Sequence, residues 1–409
     1  MNLTRRTLLT TAAAVPATPL IVRPACAQGG TTLKIGCLTD MSGPYKDLAG
    51  PGAVAALNLA LADYGVSGSG IKVEVLAADH LNKPDVGATV ARQWFDRDGV
   101  DLIVEVANSG VALAVAGVAK EKNKVYLNCG AATSDLTGSA CNANTIHWVY
   151  DTYMLAKSTG GAMVKTGGDS WFFITADYAF GKALQRDTTE FVQGAGGKVV
   201  GSVAYPFPGT ADFSSYLLQA QNSGAKVLGL ANAGTDTINS IKQAKEFGIK
   251  LRLAGLLLFL TDIHSLGLDI AQGIVLTDSF YWDMNDRTRA FSNRYSPGMS
   301  GARPTMVQAG VYSSVLHYLK TASAMGVDKV KLDGAATIAA MKKMSTDDDC
   351  FGPGAIRADG RKLHPAFLWE VKKPAESKGP WDYYKLLATT SADQAFRPID
   401  KGGCPLVKS

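Results

Sequence analysis

From Leu33 onward, short apolar runs of strand length alternate with longer stretches whose apolar residues recur every three or four positions, as on one face of a helix. Leu33–Leu38 reads as a strand. Pro51–Tyr64 reads as a helix with Ala53, Leu57, Ala60, Leu61 and Tyr64 on one face. Ile71–Ala77 is the next strand, and Pro84–Arg97 a helix striped by Val86, Val90, Ala91, Trp94 and Phe95. Leu102–Val106 (strand), Gly110–Lys122 (helix) and Val125–Cys129 (strand) extend the series. Strands and helices in strict alternation predict a parallel sheet covered on both faces.

The pattern then restarts. Trp171–Thr175, Val199–Ala204, Val227–Leu230 and Leu251–Leu258 read as strands. Between them lie helices over Gly181–Gln193, Ala211–Ser223 and Thr235–Phe247, the first and last followed by Gly194 and Gly248. Ile274–Thr277 begins a further strand, Pro304–Met325 is a long helix, and Ala366–Val371 and Tyr383–Leu387 close the series. The tail from Ala388 to Ser409 has little periodicity, so it either packs along the surface or frays. The prediction is an α/β protein of two similar three-layer αβα lobes.

In open parallel sheets, ligands bind beyond the carboxyl ends of the strands. The loops there read Asp40-Met41-Ser42-Gly43-Pro44-Tyr45, Ala107-Asn108-Ser109-Gly110, Gly130 to Asp135, Ala176 to Gly181, and Asn232-Ala233-Gly234-Thr235-Asp236. All are small and polar, and most precede a helix. Amides at a helix start beside a Ser or Thr hydroxyl attract a carboxylate or phosphate; Ser42, Ser109 and Thr133 can equally act as ordinary helix caps.

The first residues add a compartment. Arg5-Arg6, the short proline-broken apolar stretch from Leu8 to Val22, and Ala25-Cys26-Ala27 before Gln28 form the pattern of a cleaved export signal, with the paired arginines of the route that carries folded proteins. A soluble mature protein starting near Gln28 and residing in the periplasm is expected, since Arg23 stands where a lipid-anchored leader carries an aliphatic residue. Residues 1–27 hold three arginines and no acid, leaving 38 basic against 36 acidic residues, a balance of +2. That near-neutral balance speaks against nucleic acid. No later run is long and apolar enough to span a membrane. A mature length of about 380 residues fits two domains.

Five cysteines follow the leader. Cys37 and Cys129 lie in strand-like runs and read as small buried hydrophobes. Cys141, Cys350 and Cys404 lie in polar contexts, and any pair of them could bridge in an oxidising space. No spacing implies a metal or cofactor. The five histidines are scattered, Asp79-His80 has no evident catalytic partner, and no nucleophile elbow is present. Gly194-Ala195-Gly196-Gly197-Lys198 lacks the Ser or Thr of a phosphate loop.

The run Ile35-Gly36-Cys37-Leu38-Thr39-Asp40-Met41-Ser42-Gly43-Pro44 resembles the opening of the periplasmic leucine/isoleucine/valine-type substrate-binding proteins. The segment from Gly130 to Thr137 resembles that family's second-loop signature, and Ala176-Asp177-Tyr178-Ala179-Phe180-Gly181 the start of its second lobe. The resemblance runs from about Leu33 to Val371. It implies a type I periplasmic binding protein, not an enzyme, that feeds an ABC importer as a monomer, with three hinge crossings near His147–Asp151, Leu276–Asp278 and Ile356–Leu363. It divides the chain into residues 31–148 plus 278–356 (lobe 1), 149–277 plus 357–387 (lobe 2) and a tail, 388–409. By motif match the ligand carboxylate falls to Asn108, Ser109, Ala131, Ala132 and Thr133, with Ser42 and Tyr45 at the cleft edge. Tyr178, Phe180, Asn232, Ala233, Leu257 and Phe259 face them from the second lobe. Tyr281 either walls the cleft or packs the hinge, and Gln308 either reaches the cleft or sits at a capped helix start.

The sequence departs from that family at one informative place. Amino-acid binders of this type carry an acid after the strand corresponding to Leu251–Ala254, to meet the ligand ammonium. Here the stretch reads Ala254-Gly255-Leu256-Leu257-Leu258-Phe259-Leu260, and no carboxylate appears before Asp262. The tyrosine expected in the Asn232–Gly234 loop is missing too. A buried ammonium without a counter-charge is costly, so a hydrophobic or aromatic acid is expected, unless Asp236 or Asp262 supplies the charge. Relatives with a segment similar to Thr175–Gly181 are associated with aromatic acids. Two other classes stay open: the ligand-binding part of a sensory system, and an exported enzyme.

Overall fold

The computed structural model describes residues 31–407; the expected leader, 1–27, lies outside them. The first sheet contains β1 (Thr32–Thr39), β2 (Lys72–Asp79), β3 (Leu102–Glu105), β4 (Val125–Asn128) and β5 (Thr145–His147). Its order is β2-β1-β3-β4-β5, all parallel. The second contains β6 (Ser170–Ala176), β7 (Lys198–Tyr205), β8 (Val227–Ala231), β9 (Arg252–Gly255), β10 (Val275–Asp278), β11 (Ala366–Val371) and β12 (Tyr384–Thr390). Its order is β7-β6-β8-β9-β10-β11-β12, parallel up to β10 and antiparallel at β11 and β12. The first five strands of each sheet follow the same order, which makes the repeated alternation a repeated topology.

Helix placement follows burial. Gly50–Tyr64 buries Ala53, Ala56, Leu57 and Ala60 and packs on the long helix Met306–Met325. Leu61 and Tyr64, expected on the same face, are only partly covered. Met306–Met325 is buried on nearly every side, enclosed by its neighbours, with Gln308, Ser313, Ser314, His317 and Thr321 among its buried residues. It lies within the first lobe although it follows β10 in sequence, so the chain passes between lobes after β5, after β10 and before β11. At two passages the strands touch: His147 pairs with Arg361, the His147 amide donates to Gly360 O, and the Lys362 amide to His147 O.

One expectation needs correction, and two further points are decided by the structure. The run Leu251–Leu258 is a strand only to Gly255; residues 256–259 turn, and the helix Leu260–Leu266 starts where Asp262 Oδ2 accepts the Phe259 amide at 2.9 Å. The apolar run cannot reveal this break, because the end of the strand and the turn are buried alike from Ala254 to Leu260. β5 is a three-residue strand too short to register as a period. Of the two courses open to the tail it packs: β12 runs on to Thr390, Ala395 and Phe396 are buried, and Cys404 is disulfide-bonded to Cys141. Cys37, Cys129 and Cys350 are free and buried.

Candidate functional site

The loops beyond β1, β3 and β4 are built by local side-chain bonds. Asp40 Oδ1 accepts the Ser42 and Gly43 amides, while its Oδ2 accepts the Tyr45 amide at 2.8 Å and Asn82 Nδ2 at 2.7 Å. That one carboxylate shapes the first loop and presents Tyr45. Asn108 caps the helix Ser109–Glu121 by accepting the Val111 amide, and its Nδ2 donates to Asn82 Oδ1. Ser109 Oγ accepts the Thr133 amide at 3.2 Å, which ties the second loop to the third. Asn128 holds Ala131 by both its amide and its carbonyl, Ala132 O accepts the Thr152 amide, and Tyr150 donates to Gly130 O. Ser109, Ala131, Ala132 and Thr133 thus come together in a buried patch at a helix start, the arrangement that receives an anion.

The second lobe meets this patch with aromatic and aliphatic groups. Phe207 stacks on Tyr178 at 4.4 Å and on Tyr45 of the first lobe at 5.5 Å, and the Tyr45 and Tyr178 hydroxyls hydrogen-bond to each other. The Thr235 amide donates to Pro44 O at 3.2 Å. Phe259 lies edge-on to Tyr150 at 5.9 Å. Tyr45, Ala132, Tyr150, Phe180, Ala233, Leu257 and Phe259 share one buried apolar cluster, with Tyr178 packed against it. The two lobes are therefore closed on each other.

Other expected residues serve the frame. Asn232 is buried, accepting from the Thr237 hydroxyl and donating to Ser240 Oγ. Ser42 is exposed and bonds Asp79 at 2.7 Å. Tyr281 packs with Trp369 and Tyr384 in the second lobe's own core. Gln308 closes the cap of Met306–Met325 through the Thr305 amide and reaches back to Ala49 O. Asp79-His80 is a turn: Asp79 Oδ1 accepts the Leu81 amide, His80 Nδ1 accepts the Asn82 amide, and burial lowers the imidazole to about 4. Asp40, Tyr150 and Phe207 were not singled out for the site. Only Asp40 had a readable signal, an Asx turn written Asp-x-Ser-Gly-Pro; the others depend on which strands become neighbours.

Two carboxyls lie near enough to matter for charge. Asp236 is buried at the start of the helix Thr235–Glu246, accepts the Tyr205 hydroxyl at 2.7 Å, and is raised by burial to about 6, against the lowering effect of that bond. Asp262 is raised by burial to about 7 and lines a side groove of about 560 Å³ between the lobes, with Asp47, His264 and Trp381. Among the described residues no three His, Cys, Asp or Glu side chains are grouped to hold a metal, and no helix is long and apolar enough to cross a membrane.

The architecture has close counterparts. A periplasmic binding protein from Burkholderia mallei is 50% identical, with a TM-score of 0.88 over 92% of this chain and 99% of that one. A branched chain amino acid ABC transporter periplasmic ligand-binding protein from Burkholderia xenovorans LB400 is 41% identical, with a TM-score of 0.80 over 92% and 100%. A solute binding protein of an R. palustris ABC transporter, in complex with benzoate, shares the fold at 20% identity and a TM-score of 0.81 over 92% and 100%. The profile of the periplasmic binding protein family matches residues 32–379, and with two parallel-stranded lobes meeting at helix-start loops, this chain belongs to that family.

Proposed function

We propose that this protein captures a small hydrophobic or aromatic carboxylic acid between its lobes, outside the cytoplasm, and delivers it to the permease of an ABC importer. The two lobes would move as two bodies about the three passages. The observation that carries the ligand class is the turn at 256–259. Leu257 and Phe259 belong to the buried apolar cluster that runs through both lobes, and Phe259 reaches Tyr150 at the first passage, where an ammonium would need a carboxylate. Opposite it, the Ser109 and Thr133 hydroxyls and the amides around them suit a carboxylate. The benzoate complex of the R. palustris protein demonstrates only that a protein of this fold can enclose such an acid.

A second reading has its own support. Asp236 is buried, and its charge acts on both Tyr45 and Tyr178. From there it could serve an amino-acid ligand's ammonium, and the 41% identical relative is a branched chain amino acid transporter protein. Thermal shift of refolded, ligand-stripped protein separates the two. Ligand at 100 times its Kd adds about 2.7 kcal/mol. Stabilisation by benzoate-type acids and not by leucine, isoleucine or valine supports the first reading; the reverse overturns it in favour of Asp236.

A further inference from the structure

Glu105 ends β3 and is wholly buried, yet neither oxygen of its carboxyl has a hydrogen-bond partner. Its backbone stands at φ +83° and that of Val106 at φ +69°. Two successive side-chain-bearing residues in this region are strained, and such strain persists where the surroundings demand it. These two residues turn the chain out of β3 into Ala107-Asn108-Ser109. The carboxyl lies directly beneath the next loop: a Cβ on Gly130 would overlap Glu105 Oε1 and come within 2.8 Å of Ala107 Cα. Glu105 is therefore wedged between the loop carrying Ser109 and the loop carrying Ala131 and Thr133.

No cation stands among the largest influences on it, although the buried Arg361 guanidinium acts on its neighbour Cys129. Facing it are Cys37 of β1, Asp40 just beyond β1, Tyr126 of β4, Cys129 after β4, and Tyr150 from the first passage between lobes. The Thr39 hydroxyl and the Val106 and Ala107 amides lie near enough to favour the charged form without meeting hydrogen-bond geometry, and burial outweighs them. Burial, reinforced by Asp40, pushes the carboxyl up to about 8.

We propose that Glu105 is a positioning residue of the ligand site, held as a neutral acid under the two first-lobe loops, and that its ionisation expels an anionic ligand. The proposal rests on the reading that these loops receive a carboxylate. A negative charge at the floor of the site would repel that group with little screening. An anionic ligand must then take up a proton with it at alkaline pH.

Benzoate is titrated into the wild-type protein and Glu105→Gln from pH 6 to 9.5. Wild-type affinity should fall about 30-fold from pH 7 to pH 9.5, following one proton lost around pH 8, while Glu105→Gln changes less than about 2-fold. Parallel curves overturn the proposal. Should the variant fail to fold, wild-type calorimetry at pH 8.5 in buffers of different ionisation enthalpy should register about three quarters of a proton taken up per benzoate; no uptake also overturns it. Melting temperatures without ligand are recorded as well. If the wild type, unlike Glu105→Gln, loses stability from pH 5 to 8, the carboxyl is neutral whatever binds. Failure of benzoate to bind at any pH, beside that melting behaviour, removes the ligand reading and the expulsion step with it; equal melting slopes overturn the neutral acid itself.

Discussion

Gly234→Ala isolates lobe closure from folding. Gly234 stands at φ +59°, ψ −136°, a region that essentially only glycine occupies. In the closed molecule a Cβ there would overlap Pro44 O and lie 3.1 Å from Tyr45 Cδ1, both in the opposite lobe. The backbone strain is the same whether the lobes are open or closed. It lowers stability by about 1–3 kcal/mol and leaves affinity alone. The overlap exists only in the closed state. Relieving it lengthens the bond from the Thr235 amide to Pro44 O, about 1 kcal/mol. It also loosens the stack of Tyr45 on Phe207, about 0.5–1.5 kcal/mol. Together these amount to about 1.5–2.5 kcal/mol, or roughly 10- to 70-fold in Kd. Calorimetric titration of wild type and variant, with the acid that gives the largest thermal shift, measures the change. X-ray scattering should register less compaction on ligand addition. A variant that melts earlier but keeps its Kd and its compaction would refute the reasoning, since the approach of Pro44 to Gly234 would then be absent from the liganded state.

Ser109→Ala should weaken binding by about 1–3 kcal/mol, because it removes a hydroxyl from a buried carboxylate site and frees the Thr133 amide; titration calorimetry tests it, and unchanged affinity would take Ser109 out of the site. Leu257→Glu should cost an apolar acid about 3 kcal/mol or more by placing an unpaired charge in the buried apolar cluster; unaltered binding would place Leu257 away from the ligand. Cys141→Ser should lower stability by about 2–4 kcal/mol, since the bond to Cys404 spans 263 residues, and reductant should then destabilise the wild type but not the variant in chemical denaturation. For Asp236, folding raises the pKa from 3.8 to about 6, so the folded form keeps its proton longer and stability falls as pH rises across that window. Asp236→Asn should remove up to about 3 kcal/mol of that fall, seen by comparing urea midpoints at pH 4 and pH 7; an equal fall in both proteins would show that Asp236 titrates normally.

Much of the fold was legible because its elements bury one face each. The stripes of Pro84–Arg97 and Thr235–Phe247 and the apolar runs at β1, β6 and β8 are local consequences of the strand and helix periods. Legibility failed where burial was uniform or the element short. Residues 253–260 are apolar throughout, so nothing in their pattern marked Gly255 as the end of β9. The site shows the same division. Ser109 and Thr133 could be found because small polar residues before a helix are a local signal, and the structure brings them into contact. Gln308 and Asn232 carry the right chemistry at plausible places, but their polar groups are taken up by a cap and by the Thr237 and Ser240 hydroxyls.

The amino-acid sequence by itself determined the strand–helix alternation, its repetition, the near-neutral charge and the absence of an acid from 256–259, because each is a property of neighbours along the chain. Only the tertiary structure decided which cysteines pair, that Met306–Met325 joins the first lobe, that Phe207 inserts between Tyr45 and Tyr178, and that Glu105 lies unpartnered beneath Gly130. Those facts depend on groups far apart in sequence being packed together, and packing is specified by shape and burial over the whole molecule, which no local period encodes.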